Sequence, residues 1–203
     1  RPHFQKISGI TCIWRQNCHA RADEKEAFGY KDGISHPAIE GSGIPGTNPK
    51  EVPLKAGEFV LGYPDEMGAV QLLKPDILSN NGSFVAFRKL QQDVAMFRQF
   101  LKSNSTATDS EEFLAAKMMG RWRSGAPLAK CPMHDNPELG ADPKKNNDFL
   151  FKADDPIGYQ TPCGSHIRRM NPRDAEISGV ARIHRMIRRG TSYGPDFPEG
   201  TME

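Results

Sequence analysis

Twenty-five consecutive residues limit early what this chain can become. From Gly29 to Pro53, GYKDGISHPAIEGSGIPGTNPKEVP carries five glycines and four prolines. Proline lacks an amide N–H and glycine loses the most entropy when its backbone is fixed, so no helix or strand of useful length survives there. The stretch predicts an extended loop of about 25 residues, a length that marks functional or disordered segments in compact proteins. The same punctuation runs through the chain, with 19 glycines and 16 prolines in 203 residues and 37% apolar content. That composition suits a loop-rich domain better than a helical bundle, and the length allows one large domain or two small ones with a buried core.

Beyond the loop, short elements are predicted. EFVLGY (Glu58–Tyr63) reads as a strand, and the Asn81-Gly82 turn signal precedes a second strand over Ser83–Leu90. The apolar period then changes: Leu90, Val94, Phe97 and Leu101 recur at spacings of three and four, which predicts an amphipathic helix over Gln91–Lys102. Asp109 or Ser110 can cap a second helix that carries Glu111 and Glu112 in its first turn, runs to Met119 and stops at Gly120. RWRSGAPL reads as a loop, and residues 129–162 as polar and irregular. A last helix is predicted from Asp174 or Ala175 to about Arg188, ending at Gly190. Strands and helices alternate irregularly, which favours an α+β class over a doubly wound sheet.

Charge and cysteines exclude several function classes. A net charge of +2 makes no global field for polyanions, but seven arginines lie between Cys163 and Tyr193 against Asp174 and Glu176. That local excess points to an anionic partner, carboxylate or phosphate. Nucleic acid is not the expected partner, because the tract lacks interleaved aromatics and any recognised nucleic-acid-binding signature. No run of eighteen apolar residues exists, so no membrane span is expected. Cys12, Cys18, Cys131 and Cys163 show no CxxC spacing and read as ordinary reduced thiols. The chain opens on Arg1 and shows no signal-peptide core, so a processed product or a fragment is expected and the compartment is not readable.

Three segments carry candidate chemistry. In Gly29–Gly33 an aspartate stands between glycines, so Asp32 can enter a cavity, or the stretch can simply be a surface turn. His166 follows Gly164 and Ser165, small residues that give a bulky group access to its ring; a structural histidine in a basic loop is the competing reading. Arg188 and Arg189 close the predicted last helix, where they favour its C-terminal dipole or direct positive charge into a polar site. No HExxH or spaced histidine pair supports a multi-histidine zinc site. One carboxylate, one arginine and one histidine on separate segments suit a haem peroxidase. Its iron needs one protein ligand, and its opposite face needs a proton carrier and a fixed positive charge.

Six blocks in order then resemble the dye-decolorising peroxidases, in their longer fungal-like and cyanobacterial-like subgroups. They are FGYKDGISHP with its GxxDG signature, GEFVLGYPDE, NGSFVAFRKLQQDV, GRWRSGAPL, CGSHIRRMNPRD and HRMIRRGTSYGP, and the likeness spans about Ile10 to Pro195. It departs at Thr161-Pro162, where such proteins usually have Cys-Pro, and at Cys163, where an apolar residue is usual. The resemblance implies two ferredoxin-like units of antiparallel sheet and helices (the dimeric α+β barrel type), here incomplete. Residues 1–57 would be a loop region carrying the GxxDG motif, and residues 58–203 part of the C-terminal haem-binding domain.

It further implies haem b (iron protoporphyrin IX) as cofactor, hydrogen peroxide as oxidant and a bulky dye or phenolic reductant. Asp32 would be the distal proton carrier, Arg188 the distal arginine and His166 the iron ligand. Charge alone adds Arg168 and Arg169 as partners of the haem propionates. Trp14, Trp122 and Tyr193 are candidate electron relays that the sequence does not rank. Two alternatives stand beside this reading: a haem-binding or haem-processing protein without peroxidase turnover, and a non-catalytic chain that binds partners through its basic tract. The natural reductant and the oligomeric state are not readable.

Overall fold

The computed structural model describes residues 7–175 and 181–195. Among them are five α-helices: α1 (Val94–Asn104), α2 (Glu111–Met119), α3 (Pro137–Ala141), α4 (Phe151–Asp154) and α5 (His166–Met170). Two 3-10 turns, Ala56–Glu58 and Asp76–Leu78, punctuate the loops between them.

The two longer helices form where the apolar period and the caps agree. Asp93 accepts the Met96 amide at 2.8 Å to open α1, and Val94 and Leu101 carry its buried stripe. Ser110 caps α2 by accepting from the Phe113 amide at 3.2 Å. Gly120 ends α2 in the left-handed conformation at φ 88°, its amide donating to the Ala116 carbonyl at 2.6 Å. A side chain at Gly120 would also run into Ile167 of α5, so this glycine is required twice over. α2 therefore lies between α1 and α5.

Among the described residues, three small apolar clusters form. Tyr30, Leu101 and Ala115 join the long loop to α1 and α2, with Phe28 and Phe97 packed around them. Ala116, Trp122, Ala126 and Leu128 close the turn that follows α2. Phe149, Phe151 and Ala175 form the third, which Ile167 of α5 joins. Arg121 and Arg173 are buried against the Phe149 ring and share the Asn147 carboxamide oxygen as acceptor. Burial and mutual repulsion pull Arg121 down to about 9. Burial also pulls Arg173 down to about 10.

The structure corrects several predicted elements. No strand forms among the described residues, which contain only isolated bridges such as Ile39 with Leu54 and Arg121 with Pro127. Glu58 closes a 3-10 turn and residues 59–63 are turn and bend, and Leu61 exchanges backbone bonds with Gly82 and Asn81 at 2.9 and 3.1 Å. Residues 83–90 are not assigned to any regular element and leave Phe84, Val85, Phe87 and Leu90 exposed. The sheet of the predicted α+β fold is thus not assembled within these residues. Part of the predicted last helix falls on residues 176–180, outside the described residues. The part that is described, 181–188, is turn and irregular chain, with His184 at φ 57°. The arginines at 182, 185 and 188 mimic one helical face, but each reaches instead for a different segment of the protein. In the stretch read as irregular, Asn136 and Pro137 open α3, and the Asp174 carboxylate accepts the Phe151 and Lys152 amides of α4 at 2.7 and 3.1 Å.

Candidate active site

The Asp32 loop is shaped by a closed turn just before it. Glu26 accepts the amides of Phe28 and Tyr30 at 3.0 and 2.9 Å. Gly29 sits at φ 92°, and an added Cβ would lie 2.6 Å from the Arg123 guanidinium. Arg123 donates to the Phe28 carbonyl and to both carboxylate oxygens of Glu112, which ties the loop to α2. The chain then emerges at Asp32, which is exposed and accepts the Gly33 amide at 2.7 Å. The local turn and the accessible carboxylate, set against each other as readings of the sequence, are both present. Asp32 borders a cavity of about 520 Å³ that neither His166 nor Arg188 lines. Its other oxygen faces Gly190, 2.9 Å from where a Cβ there would stand.

His166 is not in a loop but is the first residue of α5. Its ring is reached by solvent, yet the protein around it is dense enough that burial lowers its pKa. The Arg188 charge lowers it further, while Asp32 and Glu26 oppose the shift. The imidazole is therefore held toward its neutral form, the form that can ligate a metal.

Arg188 reaches the same place from the irregular 181–190 tract. It donates to the Met170 carbonyl at the end of α5 and to the Ser35 carbonyl at 2.6 Å, beyond Asp32 in the loop. Burial lowers its pKa, Arg185 adds to this, and Asp32 and Glu51 oppose it. Arg185 is buried and donates to Glu51 at 3.2 Å and to Asn171, which in turn donates to Ser35. Arg182 grips both oxygens of Glu66 at 2.7 and 2.9 Å. The three arginines thus fasten one tract to the protein at successive points, and that tract brings Arg188 and Gly190 to Asp32.

The structure brings Asp32, His166 and Arg188 within electrostatic reach of one another and separates Arg168 from them. Arg168 is 1% exposed, paired with Asp155 at 3.1 Å and laid over the Phe151 ring at 4.3 Å. Arg168, expected from charge alone to meet a haem propionate, is thus turned inward against Asp155 and Phe151. Arg169, one residue on, is exposed and has no side-chain partner among the described residues. Trp122 is buried, its indole N–H donating to the Cys131 carbonyl at 2.8 Å. Trp14 is exposed and packs edge-on against Phe87, with Lys89 lying between it and Tyr193 by cation–π contact to both rings. Sequence reading missed Asp155, Asn171, Ser35, Arg185 and Gly190 as site residues; the Asp-Pro pair at 155–156 and the Asn-Pro pair at 171–172 carried turn signals that could have marked two of them.

No cluster of three or more histidine, cysteine or acidic side chains suited to a bare metal ion exists among the described residues. An accessible imidazole whose pKa is lowered, an exposed arginine beside it without a side-chain partner among the described residues, and exposed Met170, Met186 and Ile187 nearby in the chain fit another kind of group. That group needs one protein ligand, carries its own carboxylates and is largely apolar.

No protein-family model matches the chain. Its relatives are peroxidases. A dye-decolorizing peroxidase of Mycena epipterygia is 39% identical over 95% of this chain and 39% of its own length. Peroxidase 2 of Mycetinis scorodonius is 38% identical over 97% and 39%. Among solved structures, a dye-decolorizing peroxidase in complex with 2,6-dimethoxyphenol superposes with a TM-score of 0.75 at 32% identity, covering 90% of this chain and 43% of that one. A second, described as engineered in its heme pocket for asymmetric sulfoxidation, gives 0.71 at 30% identity over 91% and 43%. The chain is thus a homologue of the dye-decolorizing peroxidases across nearly all its own length, and it spans about two fifths of theirs.

Proposed function

We propose that this chain carries the haem-binding and peroxide-reacting segment of a dye-decolorising peroxidase, with haem b as cofactor and a bulky dye or phenolic as reductant. The observation that carries the reading is the meeting of three remote segments: Arg188 of the 181–190 tract donates to the Met170 carbonyl of α5 and to the Ser35 carbonyl of the Asp32 loop, and both Arg188 and Asp32 bear on the His166 charge. Bound haem would supply a redox-active iron at which the peroxide O–O bond is cleaved.

The residues divide the remaining work. His166 offers a neutral imidazole to the iron. Arg169, exposed and without a side-chain partner among the described residues, offers a guanidinium to a haem carboxylate, a role that burial beside Asp155 and Phe151 disfavours for Arg168. Asp32, exposed and held by the Gly33 amide through one oxygen, would take the proton from one peroxide oxygen and return it to the other. Arg188 stabilises the charge that separates meanwhile. Trp14 and Tyr193, bridged by Lys89 at the surface, are better placed than buried Trp122 to meet a reductant too bulky for the pocket. The domain division is kept in the same proposal: residues 1–57 bring the GxxDG loop, and residues 58–203 belong to a ferredoxin-like haem-binding unit.

The alternative of a partner-binding basic tract loses support, because Arg168, Arg182 and Arg185 are paired internally with Asp155, Glu66 and Glu51. The test is a haem titration followed by turnover. Added haem should give a Soret band that His166→Ala alters. Peroxide-dependent oxidation of 2,6-dimethoxyphenol should fall about 100-fold or more in Asp32→Asn, the usual worth of a positioned proton carrier. A Soret spectrum indifferent to His166→Ala, or turnover indifferent to Asp32→Asn, sinks the reading.

A further inference from the structure

We propose that Asp155, acting through Arg168, is the positioning residue that aims the His166 imidazole; the proposal rests on His166 being the iron ligand. Asp155 is 4% exposed, and three amides and the Arg168 guanidinium converge on it. One oxygen accepts the amides of Tyr159 and Gln160 at 2.7 and 3.2 Å. The other accepts the Thr161 amide at 2.6 Å and forms an ion pair with the Arg168 guanidinium at 3.1 Å, while an Arg168 N–H donates to the Asp155 main-chain carbonyl. Three of these donors belong to the loop that leads into α5, and the fourth belongs to α5 itself. One carboxylate therefore fixes both the approach to the helix and its rotation.

The rotation matters because successive helical residues turn by about 100°, so His166 and Arg168 point about 200° apart. Drawing Arg168 inward to Asp155 and onto the Phe151 ring turns His166 outward, and the structure has Arg168 buried and His166 exposed. A helix of five residues has too few internal bonds to hold its own orientation. Other contacts fix the same loop: Lys117 of α2 donates to the Tyr159 and Gln160 carbonyls at 3.2 and 2.7 Å. A buried guanidinium without its carboxylate is strongly unfavourable, so the pair behaves as a latch with one closed state.

The test compares Asp155→Asn in the haem-loaded chain with the same change in a His166→Gly background supplied with free imidazole. Asp155→Asn keeps the shape but turns an acceptor into a donor that faces N–H groups. In the parent, haem should pass to a scavenger about 10-fold or more faster, the usual scale for loss of an orienting residue behind a ligand. Its electron paramagnetic resonance spectrum should split into several coordination states. With His166 replaced by untethered imidazole, the same substitution should change neither property. An unaltered spectrum and haem loss in the parent, or equal acceleration in both backgrounds, overturns the proposal.

Arg168→Lys, which keeps the charge but loses the second N–H and the planar stack, serves if Asp155→Asn does not fold; it should show the same pattern more weakly. If the parent shows no His166-dependent Soret band, the functional reading has failed. The positioning claim is then read in the haem-free chain. Faster hydrogen exchange at the Arg169 and Asn171 amides and a shifted His166 ring resonance in Asp155→Asn uphold it, and unchanged values overturn it.

Discussion

At the scale of single residues, the charges at the site push His166 in opposite directions. Burial first, then Arg188, lower its pKa, while Asp32 and Glu26 raise it. Arg188→Gln should therefore raise the His166 pKa and Asp32→Asn should lower it, both read by NMR titration of the ring in the haem-free chain. Because the folded value lies below the unfolded one, the unfolded state binds more protons as pH falls past the ordinary histidine range. Stability should thus decline on acidification from just above pH ~6.5 until the folded pKa is passed, and His166→Gln should remove that part of the slope in urea unfolding. Gly190 offers a cleaner probe of Asp32. Its φ lies outside the left-handed range, so Gly190→Ala strains no backbone and places a methyl against the carboxylate. Peroxide reaction should slow about 10-fold in this variant with the Soret band unchanged, a loss of about 1.4 kcal/mol in barrier terms. Asp32, His166 and Arg188 could be proposed from the sequence because motif blocks mark them. Arg168 and Arg169 were not distinguishable, since charge says nothing about which of two adjacent helical side chains turns inward.

At the scale of elements, legibility follows local chemistry. α1 and α2 were readable because apolar spacing, an acceptor at the N-cap and, for α2, a terminal glycine all agree. The 181–188 tract was misread because arginines three apart satisfy a helical pattern whether or not a helix forms. Its geometry comes instead from Glu66, Glu51 and Ser35, all more than a hundred residues away in the chain. α2 can be tested at both ends. Ser110→Ala should cost about 1 kcal/mol by removing the cap to Phe113. Gly120→Ala should cost more: about 1–2 kcal/mol for the left-handed backbone alone, plus the displacement of Ile167. Thermal unfolding measures both, and Gly120→Ala should also disturb the His166 ring resonance, since Ile167 is its neighbour on α5.

At the scale of the whole molecule, the predicted sheet is the part that sequence pattern could not deliver. Strand pattern shows that a segment is suited to pairing, but a partner must supply the ladder. Residues 83–90 have no ladder partner among the described residues, and Phe84 and Val85 stand 73% and 87% exposed. An extended apolar segment of this kind invites intermolecular pairing. Val85→Lys should lower self-association of the isolated chain in sedimentation velocity without lowering its melting temperature. The arginine-fastened tract has a different consequence. Glu66 touches none of the proposed reacting groups, yet it holds Arg182 and so the segment that delivers Arg188 and Gly190 to Asp32. The tract works like a tensioned belt whose far buckle sets the alignment at the near end, so wear at Glu66 would register first as sluggish peroxide chemistry and only later as a softened fold.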